Sequence, residues 1–276
     1  ERGAALGFER VAEGVGLELR QGLEMRPRLR LEQIPLGVDL ERFVPADPDT
    51  KRQARHRLGL DLEAPVILCL GRFSAADKYD VVPLLRALQV VRWTGTDQEQ
   101  ARLRKAILVL AGARQGNDYP EQVMGVVRVM GLSDQVRAWV DLEGDVQQAL
   151  YQAADIFVSP SDNLQETFGL TVVEAMASGL PVVASDWDGY RDLVEPGVTG
   201  VLVPTWVGDW DRLLGEIGPV SHQRPWHLAV AQGTVVDVAA LADALRGLLL
   251  SPEQRVRMGA AGRSRAAAFG WDRVIA

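Results

Sequence analysis

Two carboxylates stand eight positions apart in the stretch 156–185, IFVSPSDNLQETFGLTVVEAMASGLPVVAS. Glu166 precedes an apolar run, and Glu174 is the only charged residue between Thr167 and Ser185. A lone carboxylate in such a stretch is expensive to bury unless something binds it. Each has a plainer reading as well. Glu174 could sit on a solvated helix face, and Glu166 could favour the positive end of a helix dipole. Between them lie Phe168, Gly169 and Leu170, where a glycine at a helix start leaves backbone N–H groups to meet an anion. Ahead of these, Gly71-Arg72 and Lys78 follow the apolar run Val66–Leu70. Glycine lets a backbone approach a diphosphate closely, while Arg and Lys bring charge and donors. Taken singly, either cation is an ordinary loop residue.

These side chains need a frame. The stretch 156–185 reads as strand, polar loop, helix stopping at Gly179, and second buried strand. That is a βαβ crossover with parallel strands, and its loop lies at the carboxyl end of the first strand, where open α/β sheets bind ligands. Further strands are predicted at Val66–Leu70, Ile107–Ala111 and Val136–Val140. Helices are predicted at Lys51–Leu60, Tyr79–Trp93, within Val123–Met130, and at Val146–Ala154. The alternation predicts a doubly wound, Rossmann-like parallel α/β sheet. Lys51–Leu60, His56 included, reads as a solvated surface helix. Residues 197–204 suggest a hairpin-like return to the last strand. Residues 206–234, with Trp206, Trp210 and Trp226, suggest an ordered irregular insert, and two helices follow from Val235.

Composition narrows the function. The 276 residues carry a net charge of −7, which argues against a nucleic-acid-binding module. An anionic ligand must then be held by locally placed cations. No apolar run reaches the roughly 18 residues of a membrane span. The first residues, ERGAALGFERVAEG, show no signal-peptide core. The one cysteine, Cys69, sits in the apolar run VILCLG and reads as a core residue. A reducing, cytoplasmic setting is expected. Asp186-Trp187-Asp188 invites a metal reading, but the same pattern recurs at Asp209–Asp211 and Asp47–Asp49, and no cluster supports it. His222 and His227 are isolated in the sequence. No metal site is expected.

The chain resembles the family 4 glycosyltransferases of the GT-B fold. The match is an E-x7-E signature, Glu166-Thr-Phe-Gly-Leu-Thr-Val-Val-Glu174, followed by Ala175-Met176-Ala177-Ser178-Gly179-Leu180-Pro181-Val182-Val183. It extends roughly from Ile34 to the end and thins between 205 and 234. The resemblance implies that Glu166 contacts the donor sugar and Glu174 holds the ribose hydroxyls. It implies that Arg72 and Lys78 grip the donor diphosphate, although their spacing is one residue longer than the family pattern. It places the loop after Val136–Val140, with Trp139, Val140 and Asp141, beside the nucleobase.

Ile34-Pro35-Leu36-Gly37-Val38-Asp39 matches the family's crossing between its two domains. Residues 1–34 are then a helical remnant of the N-terminal acceptor domain, largely absent, and 35–276 the nucleotide-sugar donor domain. The implied activity is metal-independent, retaining sugar transfer from a UDP-, GDP- or ADP-sugar, the nucleotide sugar being a substrate and no resident cofactor being required. The acceptor is unknown, and this chain alone is expected to be inactive. The alternative is a non-catalytic nucleotide-sugar-binding module, or a regulatory half acting with a partner. A glycosidase acid/base pair is set aside, because its carboxylates must flank a cleft at a defined separation.

Overall fold

The computed structural model describes residues 35–75, 78, 80–116, 118–143, 145–163, 166–208 and 223–274, the side chains of 223–226 excepted. The helices expected in 1–34, and Tyr79, Trp210, Asp209–Asp211 and His222, lie outside the described residues, as does the side chain of Trp226. The chain divides into two compact units, Glu1–Pro35 and Leu36–Ala276, and the sheet and its helices belong to the second.

Six strands form one parallel sheet: β1 (Val66–Leu70), β2 (Ile107–Gly112), β3 (Val136–Val140), β4 (Ile156–Ser159), β5 (Val182–Ser185) and β6 (Gly200–Val203). Their order is β3-β2-β1-β4-β5-β6. Uninterrupted apolar runs such as VILCL suit strands buried on both faces. Alternate residues divide between two cores, as a period of two requires. Ile67, Cys69, Leu108, Leu110, Ile156 and Val183 enter one core, and Val66, Leu68, Val109, Phe157 and Val182 the other.

Helices α2 (Val82–Trp93), α4 (Tyr119–Val129) and α9 (Val238–Leu250) supply Leu84, Val127 and Leu245 to the first core. Helices α5 (Val146–Ala153) and α6 (Leu170–Ala177) supply Leu150 and Met176 to the second. The short α3 (Asp97–Leu103) is held by a reciprocal Thr96–Glu99 capping box. Truncating a fully buried leucine such as Leu84 would cost about 2–5 kcal/mol.

The strand order reverses between β1 and β4. From β1 the chain runs outward through β2 and β3, then returns to β4 and runs the other way. The carboxyl ends of β1 and β4 therefore border a topological switch point, the crevice where open α/β sheets take ligands.

Several expected boundaries shift. Helix α1 (Pro48–Arg57) begins three residues early, because the Asp47 carboxylate accepts the N–H groups of Asp49 and Thr50 at 2.9 and 2.8 Å. It is not merely a solvated helix: Arg55 is 5 % exposed and turns inward. The helix expected from Tyr79 starts at Val82, with Pro83 in its first turn. The expected hairpin at 197–204 is instead a turn leading into β6, which runs parallel to β5.

The irregular insert contains regular structure, an antiparallel ribbon of β7 (Thr205–Val207) and β8 (Thr234–Val236), with α8 (Gln223–Gly233) leading into β8. Val235 thus belongs to a strand, and α9 starts only after Asp237, which caps it through the Ala240 N–H at 2.9 Å. Helices α7 (Tyr190–Leu193), α10 (Pro252–Ala266) and α11 (Trp271–Val274) complete the unit. In α10, Arg263 donates to the carbonyls of Phe43, Ala177 and Leu40 at 2.6, 2.8 and 3.1 Å, while the Val38 N–H donates to the Phe269 carbonyl at 2.7 Å.

Candidate functional site

The loop after β1 meets the loop after β4 at the switch point. Lys78 and Glu166, 88 positions apart in sequence, form an ion pair through Nζ and Oε2. Both side chains are largely buried, at 12 and 11 % exposure. The same Oε2 accepts the Tyr190 O–H at 3.0 Å. Tyr190 Oη and Ser159 Oγ lie 2.6 Å apart. Since the tyrosine proton is directed to Glu166, the serine hydroxyl donates to the tyrosine. The result is a directed chain from Ser159 through Tyr190 to Glu166. Burial, with the Glu166 charge beside it, pushes the Tyr190 phenol well above its usual range, so it remains a donor.

Tyr190 is also packed into place by glycine. Gly169 sits at the start of α6 with φ +100°, and an added Cβ would lie 2.5 Å from Tyr190 Cε1. At Gly189 an added Cβ would lie 2.3 Å from the Thr167 carbonyl oxygen. These approaches bring α7 against the α6 entry. No side chain caps α6 at Gly169, and the first N–H groups of a helix have no intrahelical partner.

Glu174 belongs to a second cluster, whose Tyr151 lies in the same core as Tyr190. It is 8 % exposed, and its Oε2 accepts from Tyr151 Oη at 2.8 Å and Gln147 Nε2 at 3.1 Å. Burial raises its carboxyl above the ordinary value, with Tyr151, Arg42 and Gln147 opposing. A carboxylate held in a set orientation by Tyr151 and Gln147 is an acceptor suited to hydroxyls. Of the remaining predicted residues, Gly71 and Arg72 stand at the end of β1, Gly71 donating its N–H to the Ala111 carbonyl at 2.9 Å and Arg72 exposed. Val140 ends β3 on the sheet edge, three strands from β4, with Trp139 packed on the second core. Asp141 follows at φ +57° and accepts the Arg114 N–H at 2.7 Å.

Of Asp186-Trp187-Asp188, Asp186 pairs with Arg191 at 2.6 Å. Trp187 donates its Nε1–H to the Asn163 carbonyl at 3.0 Å, and burial together with Glu166 raises the Asp188 carboxyl. Tyr190 and Ser159 escaped sequence reasoning. The available signal was a tyrosine following Asp-Gly just beyond a buried strand, which marks a turn and not a chemical role.

The six-stranded parallel sheet with its helices agrees with what similarity shows. The family described as Glycosyl transferases group 1 matches residues 64–216. A D-inositol 3-phosphate glycosyltransferase of Streptosporangium roseum is 36% identical over 214 residues, 76% of this chain and 46% of the relative. The chain belongs to the group 1 glycosyl transferases, and its Rossmann-like sheet is that of the GT-B fold. It spans about half the length of the curated relatives it matches.

Among solved structures, sucrose-phosphate synthase from Thermosynechococcus elongatus superposes with a TM-score of 0.62 at 27% identity, over 94% of this chain and 53% of that one. HepE of Anabaena, solved in complex with UDP-glucose, superposes at 0.50 and 21% identity, over 86% of this chain and 56% of that one. No described helix is long and apolar enough to cross a membrane.

Proposed function

We propose that this chain supplies the donor site of a retaining, metal-independent glycosyltransferase that uses a nucleotide-diphosphate sugar. The supporting observation is the meeting of Lys78 and Glu166 across the β1/β4 switch point, beside the uncapped start of α6. As the sugar C1–O bond breaks, the nucleoside diphosphate leaves with the electron pair. Lys78, Arg72 and the amides at Phe168, Gly169 and Leu170 are the groups that stabilise its growing charge. They take the part that a divalent cation plays elsewhere, so no metal is called for.

Glu166, aimed by Tyr190, orients the donor sugar and stabilises positive charge on its ring. Lys78 is held by Glu166. A donor diphosphate shares that cation, and its binding couples the sugar-facing carboxylate to the phosphate grip. Glu174 takes the ribose hydroxyls, and the β3 end around Val140 lies toward the base. HepE binds UDP-glucose, which makes uridine the first base to test.

Calorimetric titration of this chain with UDP, GDP and ADP, and then with the matching nucleotide sugars, checks the reading. Each titration is run with and without magnesium. The expected result is saturable binding of one nucleoside diphosphate, independent of magnesium and weakened by Glu174→Ala and by Arg72→Ala. If both variants bind as tightly as the parent, the assigned site is wrong.

A further inference from the structure

A cavity of about 250 Å³ lies at the same end of the sheet, between the loops after β1 and β4 and the wall formed by α8 and β8. Asp80, Asp162 and Gln232 give it a polar side, and Pro83, Leu228 and Ala231 an apolar one. Asp162 is 4 % exposed. Its Oδ2 accepts the Asp80 N–H at 3.2 Å, but its Oδ1 is buried with no hydrogen-bond partner among the described residues. The neighbouring Asp80 carboxylate accepts the Tyr119 O–H at 3.1 Å and the Val82 N–H at 3.0 Å.

Neither protonation state of Asp162 is satisfied by the protein. Ionised, it is a buried charge beside a second carboxylate, and none of the described lining residues is Lys, Arg or His. Protonated, its O–H lacks an acceptor unless the carboxyl turns. Burial raises this carboxyl to about 7, which expresses the same conflict. A buried polar group without a partner calls for an explanation, and a cavity bordered by one is a binding-site candidate.

We propose that this cavity binds a small organic cation, a protonated amine on a short carbon skeleton. Once the Asp162 carboxyl turns its buried Oδ1 toward the cavity, the N–H groups would satisfy it, the charge would compensate both carboxylates, and the carbons would lie on Pro83, Leu228 and Ala231. A neutral hydroxyl would supply a hydrogen bond and leave the charge uncompensated, and a bare inorganic ion would leave the apolar wall unfilled. This inference does not depend on the donor-site reading.

The test is a ligand-observed NMR titration of the full chain at pH 7 with glucosamine, with glucose as its neutral counterpart and potassium chloride as the inorganic competitor. The expected result is saturable glucosamine binding at least tenfold tighter than that of glucose and unaffected by equimolar potassium. Asp162→Asn should weaken it at least tenfold, and so should Ala231→Leu, which fills the cavity from the opposite wall. Cooperative unfolding confirms that each variant is folded, and nucleoside diphosphate binding by Ala231→Leu should match the parent. Equal binding of glucose, displacement by potassium, no saturable binding, or parental affinity in a folded variant would each overturn the proposal.

Discussion

Asp155 and Asp162 lie at opposite ends of β4, and their surroundings differ completely. Asp155, just before the strand, accepts from Lys51 and Arg55 at 2.6 Å each and from the Val66 N–H at 2.7 Å. Burial alone would raise its carboxyl, but Lys51 and Arg55 outweigh burial and hold it below the ordinary value. Beyond the strand, Asp162 has no cation beside it among the described residues that perturb it, and Glu166 shares one oxygen between Lys78 and Tyr190. The amino end of the sheet saturates its charges and so fastens α1 to the core. The carboxyl end leaves groups short of partners, which is the condition for taking up a ligand.

Substitutions at each end can break that contrast. Asp155→Ala should have the largest effect, a loss of about 3–5 kcal/mol in denaturant unfolding, because Arg55 stays buried without its partner. Nucleotide affinity of the folded variant should be unchanged; if binding vanishes while the fold persists, the two ends are not separate in role. Asp162→Asn should act in the opposite direction. The folded carboxyl titrates near 7, against 3.8 for an ordinary aspartate. The folded chain therefore keeps a proton that the unfolded chain releases, and stability falls as pH rises from about 4 to 7. The variant should be more stable than the parent by roughly 2–4 kcal/mol at pH 8 and equal to it near pH 4, as read from thermal unfolding across that range.

Glu174→Ala comes next, with nucleoside diphosphate affinity reduced at least tenfold, about 1.4 kcal/mol, in calorimetry. The smallest and sharpest test is Tyr190→Phe, which keeps the ring against Gly169 and removes the hydroxyl's two hydrogen bonds, to Glu166 and from Ser159. It should lower nucleotide-sugar affinity by about 1 kcal/mol and leave the bare diphosphate unaffected. An equal loss for both ligands would make Tyr190 a packing residue only.

Much of the frame was legible because burial on both faces writes itself as apolar runs. VILCL and IFVS can hardly be anything but central strands, and Cys69 falls in the core as its neighbours require. The β7–β8 ribbon was not legible. Its strands have three residues each, and Trp206 and Val235, which pair across it, are half exposed, so no alternation of buried and exposed residues betrays it. Lys78 and Glu166 stand out by local pattern and by resemblance, but their pairing is a tertiary fact. So is the role of Tyr190, which reads in the chain as part of a turn. Asp162 reads as one more residue of a polar loop, because only the folded neighbourhood shows that it lacks a counter-charge.

Arg263 carries a different kind of consequence. It ties down the carbonyls of Leu40 and Phe43, and the Leu40 contact joins residues 223 positions apart. At about 5–20 residues per second, a ribosome delivers that arginine roughly 10–45 s after Leu40. Until then the segment around Leu40 has no anchor in α10, while β1 to β6 can already assemble behind it. The chain's earliest described segment thus gains its tie to α10 after the contacts of Arg42 and Phe43 with α5. Nascent chains halted before α10 should be cut by protease near Leu40 faster than the full chain.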